Sequence, residues 1–593
     1  MLLPKNDLVT VPISNGRLSH GTRSAGHREA LATVVFCFAV VFALQYLGGA
    51  FTAELSGYPD EASHYMSGVL VHDYIQSRFP SSPMSFASHF YLRYPYLAIG
   101  HWPPLFYGLE GSWMYLFSTS RIVVLLLMAG ITTSLVTMTY FTVQPEFGVK
   151  LGLLSALLLA CNPIVQKYAS MVMMDTLLAV LSLSAALCFA RFLDSGGWRD
   201  AMKFAGLASL AILTKGNAFF LALVPAVSLL MTRRFHLLKR ASFWAPMAVV
   251  ALLCLPWHLM TMGLMLPTFG AHLGIAFTQR AATFYGVLLL KSLGAPILAL
   301  AVAGLFTRVI RPYWHNGVHA RWAALGSLLL SVCIFYCFVP AGIEARYAIV
   351  SIPLFQIFAA AGAVDLAKHL AVAGRSTATR LWLVLAVAIM FFATSVFAIP
   401  RKISFGYRQA ATALLSDGRA KDSLILVSAD TNVGEGIFIS EMAMQANRGR
   451  EIVLRASKVL ADSDWNVTKY RARYATSDQL RHCLKESGVE FLVLDRSQGA
   501  QHYLHHQQLL DMVNSHPEEW RLSGLYSPGK TDDGGSRRVD VYRYAGEGPG
   551  QRGRDPLCKI KTNLNGNQVV WPITMMLACY PDAKESSKGE RTP

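Results

Sequence analysis

Five separated stretches of this chain set ionisable side chains directly beside long apolar runs. Tyr58-Pro59-Asp60-Glu61-Ala62-Ser63-His64 follows the first run with two adjacent carboxylates and a histidine. His101 precedes Trp102-Pro103-Pro104, Asp175 follows Met173-Met174, Lys215 sits in Thr214-Lys215-Gly216, and Arg346 in Glu344-Ala345-Arg346-Tyr347. Charge beside lipid is costly unless it pairs, reaches water or carries a function. This mixture suits chemistry on a phosphate-linked lipid. Lys215 and Arg346 would neutralise a departing lipid phosphate. Asp60, kept ionised by nearby cations, would take the proton of an attacking hydroxyl, a contribution of roughly 10²–10⁴-fold. A second carboxylate would orient the acceptor or help hold a divalent cation.

Each residue also has a structural reading. An Asp beside an apolar run can cap a helix, and Lys215 and Arg346 can snorkel to lipid phosphates. His64 and His101 suit structural hydrogen bonds, and Arg121 suits an ordinary interfacial anchor. Two carboxylates and two cations on one face are what favour chemistry, so the elements that place them matter most.

Of the 593 residues 53% are hydrophobic and only 15% charged, too little charge to cover a soluble protein of this length. Eleven apolar runs lie near 30–51, 122–143, 151–169, 173–193, 203–214, 217–231, 243–263, 284–306, 322–340, 347–366 and 381–399. The first is long enough to cross a bilayer and is expected to stay as a signal-anchor. The short fifth run requires a break at Thr214-Lys215-Gly216. With residues 1–29 in the cytoplasm, the even-numbered connections face inward. Arg233, Arg234, Lys239 and Arg240 fall in one of them, Arg308, Arg311 and Arg321 in another, and Lys368, Arg375 and Arg380 in a third, all without an acid. The first loop, 52–120, carries Glu54, Asp60, Glu61, Asp73 and Glu110 against Arg78 and Arg93 and lies outside, as short interfacial helices. The net charge of +17 is thus membrane topology and does not call for nucleic acid. All five ionisable stretches then meet at the outer face, with Lys291 the nearest charge to mid-bilayer.

After Pro400 the composition becomes that of a soluble domain, 401–545, placed outside by the odd number of spans. Ser423–Ser428 and Val489–Leu494 read as buried strands, 434–447 and 478–487 as helices, and Arg538–Tyr544 as an edge strand. Strand–helix alternation predicts a small α/β layer. Gly434-Glu435-Gly436 lacks the third glycine of a dinucleotide fingerprint. Residues 546–593 read as a loosely ordered tail. Cys558 and Cys579 can pair if this part lies beyond an oxidising boundary.

The ordered set Tyr58-Pro59-Asp60-Glu61-Ala62, His101-Trp102-Pro103-Pro104-Leu105, Met174-Asp175, Leu213-Thr214-Lys215-Gly216 and Ala345-Arg346-Tyr347 resembles the signature of GT-C glycosyltransferases of the protein O-mannosyltransferase and aminoarabinose transferase superfamily. The resemblance covers about residues 30–400. It implies a polytopic α-helical enzyme that takes sugar from a polyprenyl phosphate with inversion. It implies Asp60 as catalytic base with Glu61 beside it, Asp175 as the second acidic position, Lys215 and Arg346 with Tyr347 on the donor phosphate, and His64 and His101 lining the cavity. Some relatives hold a divalent metal near the acids and others need none. The acceptor, whether protein, lipid or glycan, is left open. Two rivals come from other classes. A secondary transporter or flippase tends to place ionisable groups near mid-membrane, and a non-catalytic assembly subunit predicts that Asp60→Asn leaves the activity of the whole complex intact.

Overall fold

The computed structural model describes residues 20–372, 399–528 and 537–546, together with position 386 and the strand segments 559–562 and 569–572. Within those limits it omits 266–273, 316, 419, 421–422, 430–431, 446–450, 463–469 and 498–502. Seven helices are long and apolar enough to cross a membrane: Arg28–Leu47, Arg121–Phe147, Asp175–Ser195, Ala241–Gly263, Ile275–His315, Ala320–Phe338 and Ala345–Lys368. Val149–Ala160 and Pro163–Ala169, bent by 62°, form an eighth as a broken pair. Asn162 makes that break by accepting from Ile164 N at 3.0 Å, with Pro163 starting the new helix. These helices make the chain a multi-pass membrane protein.

The expected count of eleven spans is not reached among the described residues. The runs 203–214 and 217–231 form the shorter helices Trp198–Thr214 and Gly216–Thr232, parted at Lys215. Nearly all of the last run, 381–399, lies outside the described residues. Long apolar side chains such as Leu252 and Met260 stay exposed on the outer faces of the bundle, as expected where lipid is the solvent.

The stretch 52–120 folds as three helices, Glu61–Gln76, Pro83–Arg93 and Leu105–Leu116. After Pro400 the chain forms a five-stranded sheet in the order Ile452–Arg455, Leu424–Ser428, Val489–Asp495, Val539–Tyr544, Trp520–Tyr526. The first three strands run parallel, with Leu426 opposite both Leu454 and Leu492, and the last two are antiparallel. Helices Asn432–Gln445 and Ser477–Ser487 stand where helices were expected. The strand at 539–544 is not the edge: Trp520–Tyr526, unrecognised in the sequence, lies outside it. Val539 and Val541 are buried on one face and Asp540 and Tyr542 on the other, so the alternation that suggested an edge marks a strand covered on both sides. Cys483 is disulfide-bonded, and the Cys558–Cys579 pairing falls outside the described residues.

This sheet domain shares a core with the first loop. Tyr65, Met66 and Phe106 from the loop pack in one apolar cluster with Val427, Phe438 and Val493. Charged contacts cross the same boundary. Glu54 accepts backbone N–H groups of Phe405, Gly406 and Arg408 at 2.8, 3.0 and 2.9 Å. Arg121 is no interfacial anchor, since it is buried and paired with Glu441. Arg455 binds Glu435 at 2.9 Å, donates to Pro95 O and lies 4.7 Å from the Tyr96 ring. Gly434 and Gly436 belong to this junction. A Cβ on Gly436 would stand 2.3 Å from Tyr96, and one on Gly434 at 2.3 Å from the Tyr407 hydroxyl.

Candidate active site

Asp60 occupies the N-terminal boundary of helix Glu61–Gln76, yet its carboxylate does not cap that helix. It accepts instead from Arg346 at 2.7 Å. Arg346 is carried by the 3₁₀ turn Ala345–Val350, which feeds the last described span. Its guanidinium lies 4.4 Å from the Tyr58 ring and 5.7 Å from that of Tyr347. Aromatic faces hold a desolvated cation in place at little cost.

Asp175 opens helix Asp175–Ser195, and Lys215 follows helix Trp198–Thr214 with extended backbone. Lys215 Nζ donates to Asp175 Oδ1 at 2.6 Å and stands 4.8 Å from the Tyr347 ring. Tyr347 therefore lies beside both cations. It is fixed in turn by stacking on Tyr336 at 4.7 Å and by donating to Ala341 O at 3.0 Å. Four segments far apart in sequence thus deliver two acid–cation pairs to one buried cluster.

His64 belongs to the same cluster. Its Nδ1 lies 2.9 Å from the Tyr107 hydroxyl, and Trp102 stands edge-on at 5.2 Å. Burial, reinforced by Arg346 and Lys215, pushes its imidazole well below the usual range, so the ring is neutral at pH 7. His101 is also held neutral, pushed down to about 4 chiefly by burial, with Asp60 opposing and Lys458 adding to the fall. Glu61 is oriented differently. Its Oε2 accepts from Gly57 N at 2.8 Å, and its Oε1 accepts from Val172 N at 3.3 Å and from Lys402. None of these bonds is to a member of the Asp60–Arg346 or Asp175–Lys215 pair.

Three buried polar atoms here have no hydrogen-bond partner among the described residues: Asp175 Oδ2, His64 Nε2 and Arg346 Nε. Such atoms are costly to bury, and one acceptor, one donor and one imidazole nitrogen in one place suit a polar ligand. They do not suit a metal, because Asp60 and Asp175 are each engaged by a cation. Among the described residues no group of three His, Cys, Asp or Glu is placed to hold an ion.

The candidate site residues named from the sequence, Asp60, Glu61, His64, His101, Asp175, Lys215, Arg346 and Tyr347, lie in or next to this cluster. Lys402 and Tyr58 were not singled out. Lys402 follows an apolar run in Pro400-Arg401-Lys402 and carries no signal that separates it from an interfacial anchor. Tyr58 stood in the motif, but its contact with Arg346 is purely tertiary.

In sequence, residues 101–260 match the family model described as dolichyl-phosphate-mannose-protein mannosyltransferase. No curated protein matches the chain. Among solved structures, ArnT from Cupriavidus metallidurans bound to undecaprenyl phosphate is similar at 14% identity and a TM-score of 0.52, over 87% of this chain and 99% of that one. The oligosaccharyltransferase AglB from Archaeoglobus fulgidus, in complex with an inhibitory peptide and a dolichol-phosphate, is similar at 14% identity and a TM-score of 0.53, over 94% of this chain and 77% of that one. At such low identity these likenesses speak for the fold, and the fold is that of the GT-C glycosyltransferases, with residues 101–260 similar in sequence to the protein mannosyltransferases.

Proposed function

We propose that this chain transfers a sugar from a polyprenyl phosphate to an acceptor hydroxyl at the non-cytoplasmic face of the membrane, with inversion at the anomeric carbon. The observation that carries the reading is the buried double pair Asp60–Arg346 and Asp175–Lys215. Two desolvated cations beside tyrosine rings suit an anionic lipid phosphate, and a carboxylate held next to them suits a base. The undecaprenyl phosphate bound to ArnT and the dolichol-phosphate in the AglB complex agree with that donor class. A disulfide-bonded Cys483 agrees with an oxidising compartment for the sheet domain.

In the reaction the acceptor oxygen attacks the anomeric carbon from the face opposite the phosphate. The bond from that carbon to the phosphate oxygen breaks, and the electron pair leaves with the polyprenyl phosphate. Arg346 and Lys215 stabilise the charge that develops there. Asp60 takes the acceptor proton as the new glycosidic bond forms. Binding the phosphate draws Arg346 from Asp60, so the base is released when the donor arrives. Asp175 keeps Lys215 charged between turnovers, and its Oδ2, with neutral His64 Nε2, is available to sugar hydroxyls.

The test is turnover by membranes carrying the whole chain, supplied with radiolabelled polyprenyl-phosphate mannose, glucose and arabinose, with the product identified by class. Label is expected to move from one of these donors to an acceptor, and Asp60→Asn is expected to stop it. Transfer that persists undiminished in Asp60→Asn removes the base from the scheme.

A further inference from the structure

Glu61 and Lys402 form a buried ion pair that touches neither of the pairs described above. Glu61 is fully buried and its oxygens serve three donors: Gly57 N, Val172 N and Lys402 Nζ. Gly57 belongs to the loop that presents Tyr58 and Asp60, and Val172 to the loop that presents Asp175. The two loops lie in direct contact, for a Cβ on Gly57 would meet the Met171 side chain at 2.4 Å. Lys402 in turn is set by the chain around it. Its backbone N donates to Gly48 O at 3.0 Å, and Gly48 has no side chain because Pro400 O would lie 3.0 Å from its Cβ. Three residues further on, Glu54 binds the N–H groups of Phe405, Gly406 and Arg408, where the sheet domain begins.

We infer that Lys402 is a positioning residue: through Glu61 it fixes the spacing of the two acid-bearing loops, and so makes the geometry of the site depend on the docked sheet domain. The charge is what the arrangement needs. Glu61 without Lys402 is a buried carboxylate held only by two amides, and it either takes a proton or turns toward water. In both cases an acceptor for Gly57 N and Val172 N is weakened or lost, and the loops are freed together. The role assigned to Asp60 and Asp175 rests on the function proposed above, but the coupling of the loops does not.

The experiment is hydrogen exchange by mass spectrometry on the full chain in detergent, comparing wild type with Lys402→Met, Lys402→Arg and Glu441→Gln. Lys402→Met is expected to speed exchange at least tenfold in the peptides containing Gly57 and Val172, in parallel. Lys402→Arg, which keeps the charge, is expected to restore protection in both, and Glu441→Gln, which breaks a different buried pair at the same boundary, to leave both near wild type. Wild-type exchange at either amide in Lys402→Met, or equal loosening in Glu441→Gln, overturns the inference. A second arm uses undecaprenyl-phosphate mannose as donor probe. With that probe, Lys402→Met is expected to lower kcat tenfold or more at unchanged KM, as misplaced reacting groups do. Asp60→Asn supplies the reference, since its retained turnover would strike the assignment of the base and leave the exchange result standing.

Discussion

Lys215 and Asp175 offer a way to separate holding the fold from holding the donor. Their side chains are 3% and 2% exposed and 2.6 Å apart. Removing one partner of such a pair leaves an uncompensated buried charge, at a cost of about 3–5 kcal/mol, whereas replacing both with uncharged groups is often nearly neutral. Lys215→Met and Asp175→Asn should therefore each destabilise the chain by roughly that amount, and the double variant should recover most of it. Donor binding should not recover. A charge-assisted bond to phosphate contributes about 1.5–3 kcal/mol, so Lys215→Met and the double variant should bind undecaprenyl phosphate roughly ten- to a hundredfold more weakly. Asp175→Asn keeps the ammonium and should bind within a few-fold of wild type. Thermal unfolding in detergent reads the first quantity, and titration with undecaprenyl phosphate the second. If the double variant is as unstable as the singles, the pair is not the isolated buried pair described here. If it binds the lipid phosphate like wild type, Lys215 does not hold the phosphate.

Asp60→Asn should lower kcat by roughly 10²–10⁴-fold, the span of general-base contributions, with a donor KM no higher than that of wild type, and a rise confined to KM would point to binding instead. Gly436→Ala should cost about 1–3 kcal/mol through overpacking, because its Cβ meets Tyr96 at 2.3 Å. Since the Tyr96 hydroxyl donates to Pro59 O at 3.2 Å, turnover should fall with the thermal midpoint, and Tyr96→Phe in the same background should not restore it. Stability should also fall as pH drops. Burial holds His101 and His506 down at about 4 and His505 at about 3. Below the ordinary imidazole range the unfolded chain takes up protons that the folded chain refuses. The thermal midpoint should therefore be level above about pH 6.5 and decline from there toward pH 4, and a level midpoint throughout would mean these rings are not neutral and buried.

The sequence carried the site further than it carried the bundle. Asp60, Asp175, Lys215 and Arg346 were legible because each interrupts an apolar stretch, where a charge has few reasons to be. The pairing was not legible: composition puts two acids and two cations on one face, but only the fold decides that Arg346 takes Asp60 and Lys215 takes Asp175. Glu61 shows the limit most plainly. Adjacent carboxylates read as one motif, yet consecutive residues at a helix start point about 100° apart, and Glu61 points into the interior while Asp60 points to Arg346. Arg121, Glu441 and Lys402 were missed for a related reason, since their partners are some 320 to 341 residues away. The break at Lys215 was legible from the shortness of the run 203–214, but not that it brings the Lys215 side chain to Asp175, nor that the two pieces form shorter helices than full spans.

That break bears on why the charges are buried at all. Ion pairs this deep are weak evidence of stability, because desolvation offsets most of the attraction. A bundle needing only stability would do as well with apolar residues at positions 60, 175, 215 and 346. Keeping them charged makes sense where the cations must be free of water before an anionic ligand comes, so that the ligand meets donors already desolvated and oriented. The carboxylates then act as stand-ins that keep each cation charged in the empty state. On this account, removing the Asp60 carboxylate should tighten binding of a lipid phosphate that no longer has to displace it, even as turnover collapses. Asp60→Asn is the case to measure, since Arg346 loses its competitor there and keeps its two tyrosines. Weaker binding of undecaprenyl phosphate to Asp60→Asn than to wild type would show that the acid helps form the phosphate site and does not compete for it.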